Sequence, residues 1–266
     1  EDPLLSGLEL ESATHAGLFW DHVLYRGKTA TAGAHLFARK LPPTAMGEPS
    51  PPIDVGALDE PAPADAPNED DQLSACRSTD GIAVRVRGAK SDAIAFLAGG
   101  RWSAPVKMGH KGGTLTCRGL EAVATKVTTA MEGDKNLATI AQARCNTGGC
   151  TPASTSMKEV LGGTEAIAPS DANGVTAADV NGKLLVAWNG GYTGGVRLRV
   201  APIERMRDGE DVVVCDARDE GSSQRLTTAL EVRAIPASGF ALLLVSTTSG
   251  VRALRVDQAG KLTPIG

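Results

Sequence analysis

The sequence predicts an all-β protein, a β-propeller of four-stranded antiparallel blades. Three observations predict it. After residue 72, strand-sized runs rich in Val, Leu, Ile or Thr recur every 8–15 residues, each bounded by Gly, Asn or Asp. No 3.6-residue periodicity is sustained, which argues against βαβ units. A pattern also repeats. Residues 180–188 (VNGKLLVAW) followed by 195–200 (GVRLRV) match 236–245 (PASGFALLLV) followed by 250–256 (GVRALRV), at an offset of 55–56 residues. Repeats of roughly 40–60 residues holding four strands each are the signature of propeller blades.

A single blade cannot bury both of its faces, whereas blades stacked face to face can. That accounts for second strands that read as nearly continuous apolar runs. The third strands alternate Arg197, Arg199, Arg252 and Arg255 with apolar residues, which places the arginines outward, or at blade edges with buried stems. Two earlier copies are weaker. One runs from Leu73 to Lys107, the other from Thr114 to Ser154. Residues 73–266 thus hold about four blades. The one helical candidate is short, around Ser156 to Leu161.

The N-terminal part reads differently. Residues 17–25 (GLFWDHVLY) and 33–39 (GAHLFAR) are two strand-like runs, with the turn made by Arg26–Lys28 and the small residues after it. Residues 1–41 then form a partial blade of two strands. Residues 42–72 carry eight prolines and eight carboxylates, and no Lys or Arg lies between Lys40 and Arg77. Pro cannot donate to a ladder and this stretch has little to bury, so it reads as a disordered acidic excursion. The chain begins Glu1-Asp2-Pro3, without Met or a signal peptide. A start inside a blade makes it part of a longer propeller, completed by an upstream segment or a partner chain.

Composition narrows the function classes. Aromatics are 3% of the chain, so the core is built from Val, Leu, Ile and Ala. The net charge of −4 carries no basic stripe, which argues against nucleic acid as a partner. No apolar run approaches the roughly 20 residues of a membrane-spanning helix. Of the five cysteines, Cys145 and Cys150 bracket a Gly-Gly turn and are expected to form a disulfide. Cys76 and Cys117 occupy equivalent places in successive blades and form a second candidate pair. A disulfide implies an oxidising, extracytoplasmic compartment: secreted, periplasmic or surface-attached.

Residues 93–108 (AIAFLAGGRWSAPVKM) resemble a blade of the sialidase-like, Asp-box propellers. In that family a Gly and a Trp close the turn between the third and fourth strands, and Gly99 and Trp102 stand at the matching spacing. The Ser and Asp that name the box fall at Ala95 and Leu97, so their hydrogen bonds to the turn are absent here. The resemblance supports a propeller. Sialidase chemistry would further imply an arginine triad and a tyrosine nucleophile, and this chain has only Tyr25 and Tyr192.

No catalytic set is expected, and neither is a metal site or a cofactor. No Gly-x-Ser-x-Gly elbow is present. His15, His22, His35 and His110 read as surface or turn histidines, with His15 and His22 placed at opposite parity in one strand. The ligand-contact candidates are the exposed turns: Arg101 and Trp102, and Tyr192 in residues 189–195 (NGGYTGG). The function expected is a non-enzymatic binding or scaffold module for a protein or glycan partner. The alternatives are a glycoside-processing enzyme with catalytic residues partly outside this chain, or a subunit of a larger cell-envelope assembly.

Overall fold

The computed structural model describes residues 10–29, 33–43, 47–48, 50–58, 74–88, 90–132, 135–161, 174–189, 195–215, 229–247 and 250–265. Five antiparallel sheets account for nearly all of them. Sheet 1 is β1 (Leu10–Phe19), β2 (His22–Thr29), β3 (Ala34–Lys40) and β4 (Ile53–Ala57). Sheet 2 is β5 (Ser74–Arg77), β6 (Gly81–Val86), β7 (Ala93–Ala98) and a split fourth strand. Its two pieces, β8 (Arg101–Trp102) and β9 (Val106–Lys107), both pair with β7. Sheet 3 is β10 (Thr114–Arg118), β11 (Glu121–Glu132), β12 (Lys135–Asn146) and β13 (Gly149–Ser156). Sheet 4 is β14 (Val175–Val180), β15 (Lys183–Asn189), β16 (Val196–Ala201) and β17 (Val212–Cys215). Sheet 5 is β18 (Ala229–Ala237), β19 (Phe240–Thr247), β20 (Gly250–Val256) and β21 (Leu262–Pro264). Each sheet pairs its strands in sequence order, as propeller blades do, and the fold is a propeller of four-stranded blades.

Three sequence expectations need correcting. The run 17–25 is a hairpin, because the chain reverses at Trp20 and Asp21 while Phe19 pairs with His22. His15 and His22 therefore lie on different strands. The expected turn starts later than Arg26, because Arg26–Lys28 lie inside β2, which runs to Thr29, and β3 begins at Ala34. Sheet 1 has four strands, and the fourth, β4, comes from within the acidic stretch. Val55 is the buried anchor of that strand, flanked by exposed Ile53 and Asp54. One fully buried residue in five, in a proline-rich background, is little core to mark a strand.

The chain divides into two compact units. The first comprises Glu1–Gly112, Gly119–Ala122 and Arg144–Thr151; the second comprises Gly113–Arg118, Val123–Ala143 and Pro152–Gly266. Within the first, Leu24, Leu36, Ala38 and Val55 of sheet 1 pack against Val84, Val86 and Ala95 of sheet 2. Val23, Tyr25 and Phe37 form a cluster on the other face of sheet 1. Alternate residues of one strand thus feed two cores.

The second unit repeats this arrangement. Leu185 and Ala187 of β15 join Leu198, Leu243 and Val245 in the core between sheets 4 and 5. Leu184, Val186 and Trp188 of the same strand face Ile140, Met157 and Ile203. Both faces of β15 are buried, which is why its sequence is apolar without alternation. The helical candidate is α1 (Met157–Val160), one turn held by a capping box between Ser156 and Glu159. The hydrogen bond from the Ser156 backbone leads in holding the Glu159 carboxyl below its ordinary value.

One arginine of β16 also departs from the outward reading. Arg199 is buried and donates to the carbonyls of Val160 and Met206 and, at 2.7 and 2.9 Å, to Asp211 Oδ1. It ties α1 and the 3-10 helix Ile203–Asp208 to sheet 4. Arg197, on the same strand, is substantially exposed.

Cys145 and Cys150 are disulfide-bonded, with Cα atoms 4.0 Å apart across the β12–β13 turn. Cys76 and Cys117 are disulfide-bonded as well. No helix among the described residues is long and apolar enough to cross a membrane.

Candidate binding surface

In an antiparallel meander, the first and third turns lie at the same end of the sheet. In the first unit this rule gathers several turns. They are Trp20–Asp21 of sheet 1, residues 78–80 and Gly99–Gly100 of sheet 2, and the Gly119–Leu120 turn of sheet 3. Side-chain contacts join them. The Arg77 guanidinium carbon lies 5.7 Å from the centroid of the Trp20 ring. The His22 ring meets Trp102 edge to face, with centroids 5.8 Å apart. Ser78 Oγ donates to the Gly119 carbonyl.

Trp20 is the residue that departs from ordinary turn chemistry. Its φ is +54° and it is 47% exposed. A left-handed residue with a Cβ costs roughly 1–2 kcal/mol, and this position in a two-residue hairpin favours glycine. An exposed cation–π contact returns about 0.5–1 kcal/mol. Arg77 therefore does not offset the backbone cost, and an indole half in water recovers little by burial. The fold gains nothing evident from tryptophan here.

Asp21, the other residue of the turn, carries charged neighbours of its own. His22 Nδ1 donates to Asp21 Oδ1 at 2.8 Å, and Lys40 Nζ lies 3.6 Å from Asp21 Oδ2. Burial raises the Asp21 carboxyl, but the hydrogen bond and charge of His22, a backbone hydrogen bond and the charge of Lys40 outweigh it. The group is held below the ordinary aspartate value. The surface thus presents an exposed indole beside an ionised carboxylate, a lysine and an arginine.

The sequence candidates fall around this surface in different roles. Gly99 and Gly100, at φ +55° and +76°, make the tight turn that leads into β8. Arg101 is exposed beside it. Trp102 is half-buried and packs on the sheet 1–sheet 2 core. Its indole N–H is buried and meets no hydrogen-bond acceptor among the described residues. Where the Asp-box serine and aspartate are missing, Ser103 supplies the polar contacts. Its Oγ accepts from the Phe96 N–H at 3.1 Å, and its own N–H donates to the Phe96 carbonyl at 2.8 Å. Tyr192 lies outside the described residues. Sequence reasoning missed Trp20 and Arg77, because Trp20 was read as mid-strand. The available signal was the pair Trp20-Asp21 between two apolar runs.

The remaining chemistry-bearing groups are held by the fold. Among the described residues the buried carboxylates are Asp92 and Asp179. Asp92 accepts from the Gly88 and Gly112 N–H groups, and Asp179 from the Gly182 N–H. His35 bonds Asp54 at 2.9 Å and stacks on Phe37. No group of three His, Cys, Asp or Glu among the described residues is placed to hold a metal ion.

No protein-family model matches this chain, and no curated protein matches it. Solved structures with some similarity include the RS223 β-xylosidase, at 13% identity and TM-score 0.34, covering 98% of this chain and 97% of that one. A thermostable family-43 glycoside hydrolase gives 8% identity and TM-score 0.36, covering 98% and 95%. The BP39L lectin from Burkholderia pseudomallei gives 16% and 0.31, covering 96% and 69%. At these values they carry no argument about function, and the fold assignment rests on the sheets themselves.

Proposed function

We propose that this chain is a non-enzymatic binding propeller that contacts a protein or glycan partner through the turn surface around Trp20. The observation that carries the reading is an exposed tryptophan in a backbone conformation that favours glycine. Local rules broken without a structural return mark functional positions. Tryptophan and arginine are also the residues that dominate contact energies at interfaces. Arg101 extends the surface on one side, and Trp102 supports it from below by carrying His22. Tyr192 is a further proposed contact. The disulfides favour an extracytoplasmic setting.

The glycoside-processing alternative requires a pair of carboxylates, one of them poised as an acid. The two buried carboxylates described above serve backbone amides, so they lend it no support. The reading of an envelope-assembly subunit shares the same surface and differs only in the partner.

A glycan array and a panel of extracellular proteins, probed with the wild-type chain, Trp20→Gly and Asn181→Gly, test the proposal. Trp20→Gly is expected to lose binding at least about tenfold, as loss of a central aromatic contact does. Asn181→Gly, altered in an equivalent turn, is expected to bind as wild type. Equal binding by both variants overturns the assignment of this surface.

A further inference from the structure

The two faces of sheet 5 differ. One packs on sheet 4, and Val232, Ala234, Ala241, Leu243 and Val245 are buried in the shared core. The other carries Ile235, Leu242, Leu244, Val251 and Ala253, which the pairing of β18, β19 and β20 sets side by side. Ile235 is 41% exposed and Val251 68%, and the other three are half-buried. Ile265, whose N–H donates to the Ala253 carbonyl at 3.0 Å, is exposed beside them.

Sheet 4 shows what such a face accommodates. Aligned on their first hairpin turns, the two sheets match Ala178 with Ile235, Leu185 with Leu242, Ala187 with Leu244, Val196 with Val251 and Leu198 with Ala253. All five residues of sheet 4 are fully buried, because sheet 5 stacks on them. Sheet 5 keeps an apolar residue at every matching position. A strand with one face in water alternates polar with apolar residues, and β19 does not. Its sequence is that of a middle strand covered on both sides.

Two positions change character. Thr176 and Val200 of sheet 4 correspond to Arg233 and Arg255 of sheet 5. Thr176 serves the stacking, since its Oγ1 accepts from the Ala234 N–H at 2.9 Å. Both arginines are exposed. Arg255 lies over the Phe240 ring at 4.6 Å, and Arg233 joins no ion pair among the described residues. Asp257, two residues beyond Arg255, is engaged by the Ala259 and Lys261 N–H groups at 2.8 and 3.0 Å. The face is an apolar field with two cations open to a partner. A second copy of the same face would set arginines against arginines, which opposes a symmetric dimer.

We propose that this face docks a β-sheet of another polypeptide, stacked as sheet 5 stacks on sheet 4, with apolar residues at its centre and carboxylates facing Arg233 and Arg255. Strand spacing and rise put the two arginine Cα atoms about 12 Å apart, and the carboxylates stand at a similar spacing. The proposal concerns the second unit alone and does not rest on the Trp20 surface.

The probe is a cyclic β-hairpin peptide closed by D-Pro-Gly turns, with valines flanked by two glutamates on one face. Its control is the same hairpin with lysines for the glutamates. In an amide-shift titration of the ¹⁵N-labelled full chain, the glutamate hairpin is expected to give saturable shifts at residues 233–235, 242–244 and 251–255, and the lysine hairpin none. The double variant Arg233→Glu, Arg255→Glu is expected to bind the glutamate hairpin at least about tenfold more weakly and to gain binding to the lysine hairpin, a reversal that a misfolded variant cannot give. Hydroxyl-radical footprinting of the free chain is expected to oxidise Leu242, Leu244 and Val251, and the glutamate hairpin to protect them. Five results would each overturn the proposal: no saturable shift with the glutamate hairpin, an equal response to the lysine hairpin, no reversal in the double variant, protection of the three residues in the free chain, or a dimer in sedimentation that Leu244→Lys dissolves.

Discussion

The first hairpins of sheets 1 and 4 are built to the same plan and filled by opposite chemistry. In sheet 4, Val180 pairs with Lys183 and the turn is Asn181–Gly182, at φ +52° and +86°. Both residue types suit the left-handed region, and the turn is knitted in further. The Asn181 side chain donates to Gln258 at 2.7 Å, its carbonyl accepts from Arg118, and Gly182 N–H donates to Asp179. In sheet 1, Phe19 pairs with His22 and the turn is Trp20–Asp21, left-handed at the tryptophan. Where residue type agrees with backbone, the turn serves the fold. Where the two disagree and the side chain faces water, the fold does not account for the residue, and that is the ground of the binding surface proposed here.

The largest expected effect breaks the turn that obeys the rules. Gly182→Ala puts a Cβ at positive φ and against the Arg118 guanidinium, which must move. The left-handed cost and the loss of the Arg118 contact together should destabilise by about 2–3 kcal/mol, read from the denaturant midpoint. A loss under about 0.5 kcal/mol would remove the distinction between the two turns.

Trp20→Gly sharpens the comparison from the other side. It relieves about 1–2 kcal/mol of backbone cost and forfeits about 0.5–1 kcal/mol with Arg77. Stability should be unchanged or rise by up to about 1 kcal/mol, within which lies the entropy of a freer unfolded chain. A loss above about 1.5 kcal/mol would make Trp20 a structural residue.

The smallest effect is electrostatic. Asp21 has a folded-state carboxyl below its ordinary value of 3.8. A depressed carboxylate adds stability that is present above the unfolded value and fades as pH falls through the folded one. Asp21→Asn should therefore flatten the stability profile below about pH 4 and leave pH 7 nearly unchanged, because half-exposed pairs contribute little. Unaltered acid dependence would show that the Asp21–His22–Lys40 cluster does not form in solution.

Much of the fold was legible in the sequence because the middle strands bury both faces. Runs such as 184–188 in β15 and 241–245 in β19 have no other use, and glycines at positive φ, such as Gly99 and Gly239, mark the tight turns. The first sheet was harder to read for two physical reasons. Its opening turn carries Trp20, a residue with strand propensity in a turn conformation. Its fourth strand depends on Val55 alone, in a stretch whose prolines and carboxylates look unfoldable. The candidate surface was half legible. Gly99–Trp102 announced itself by turn chemistry, whereas Trp20 and Arg77 meet only through the pairing of sheets 1 and 2. Arg199 escapes a sequence reading because an arginine that clamps several backbone and side-chain acceptors has the same sequence signature as one in water.

The prolines of the strands are confined to first and last members of their sheets. Pro236 lies in β18, Pro152 in β13 and Pro264 in β21, while Pro105 sits in the gap of the last strand of sheet 2. A missing N–H on a border strand deprives a neighbouring molecule of a ladder to extend. The sheets are thereby guarded against growing by edge-to-edge addition into fibres. This protection matters most for a protein built almost wholly from short strands.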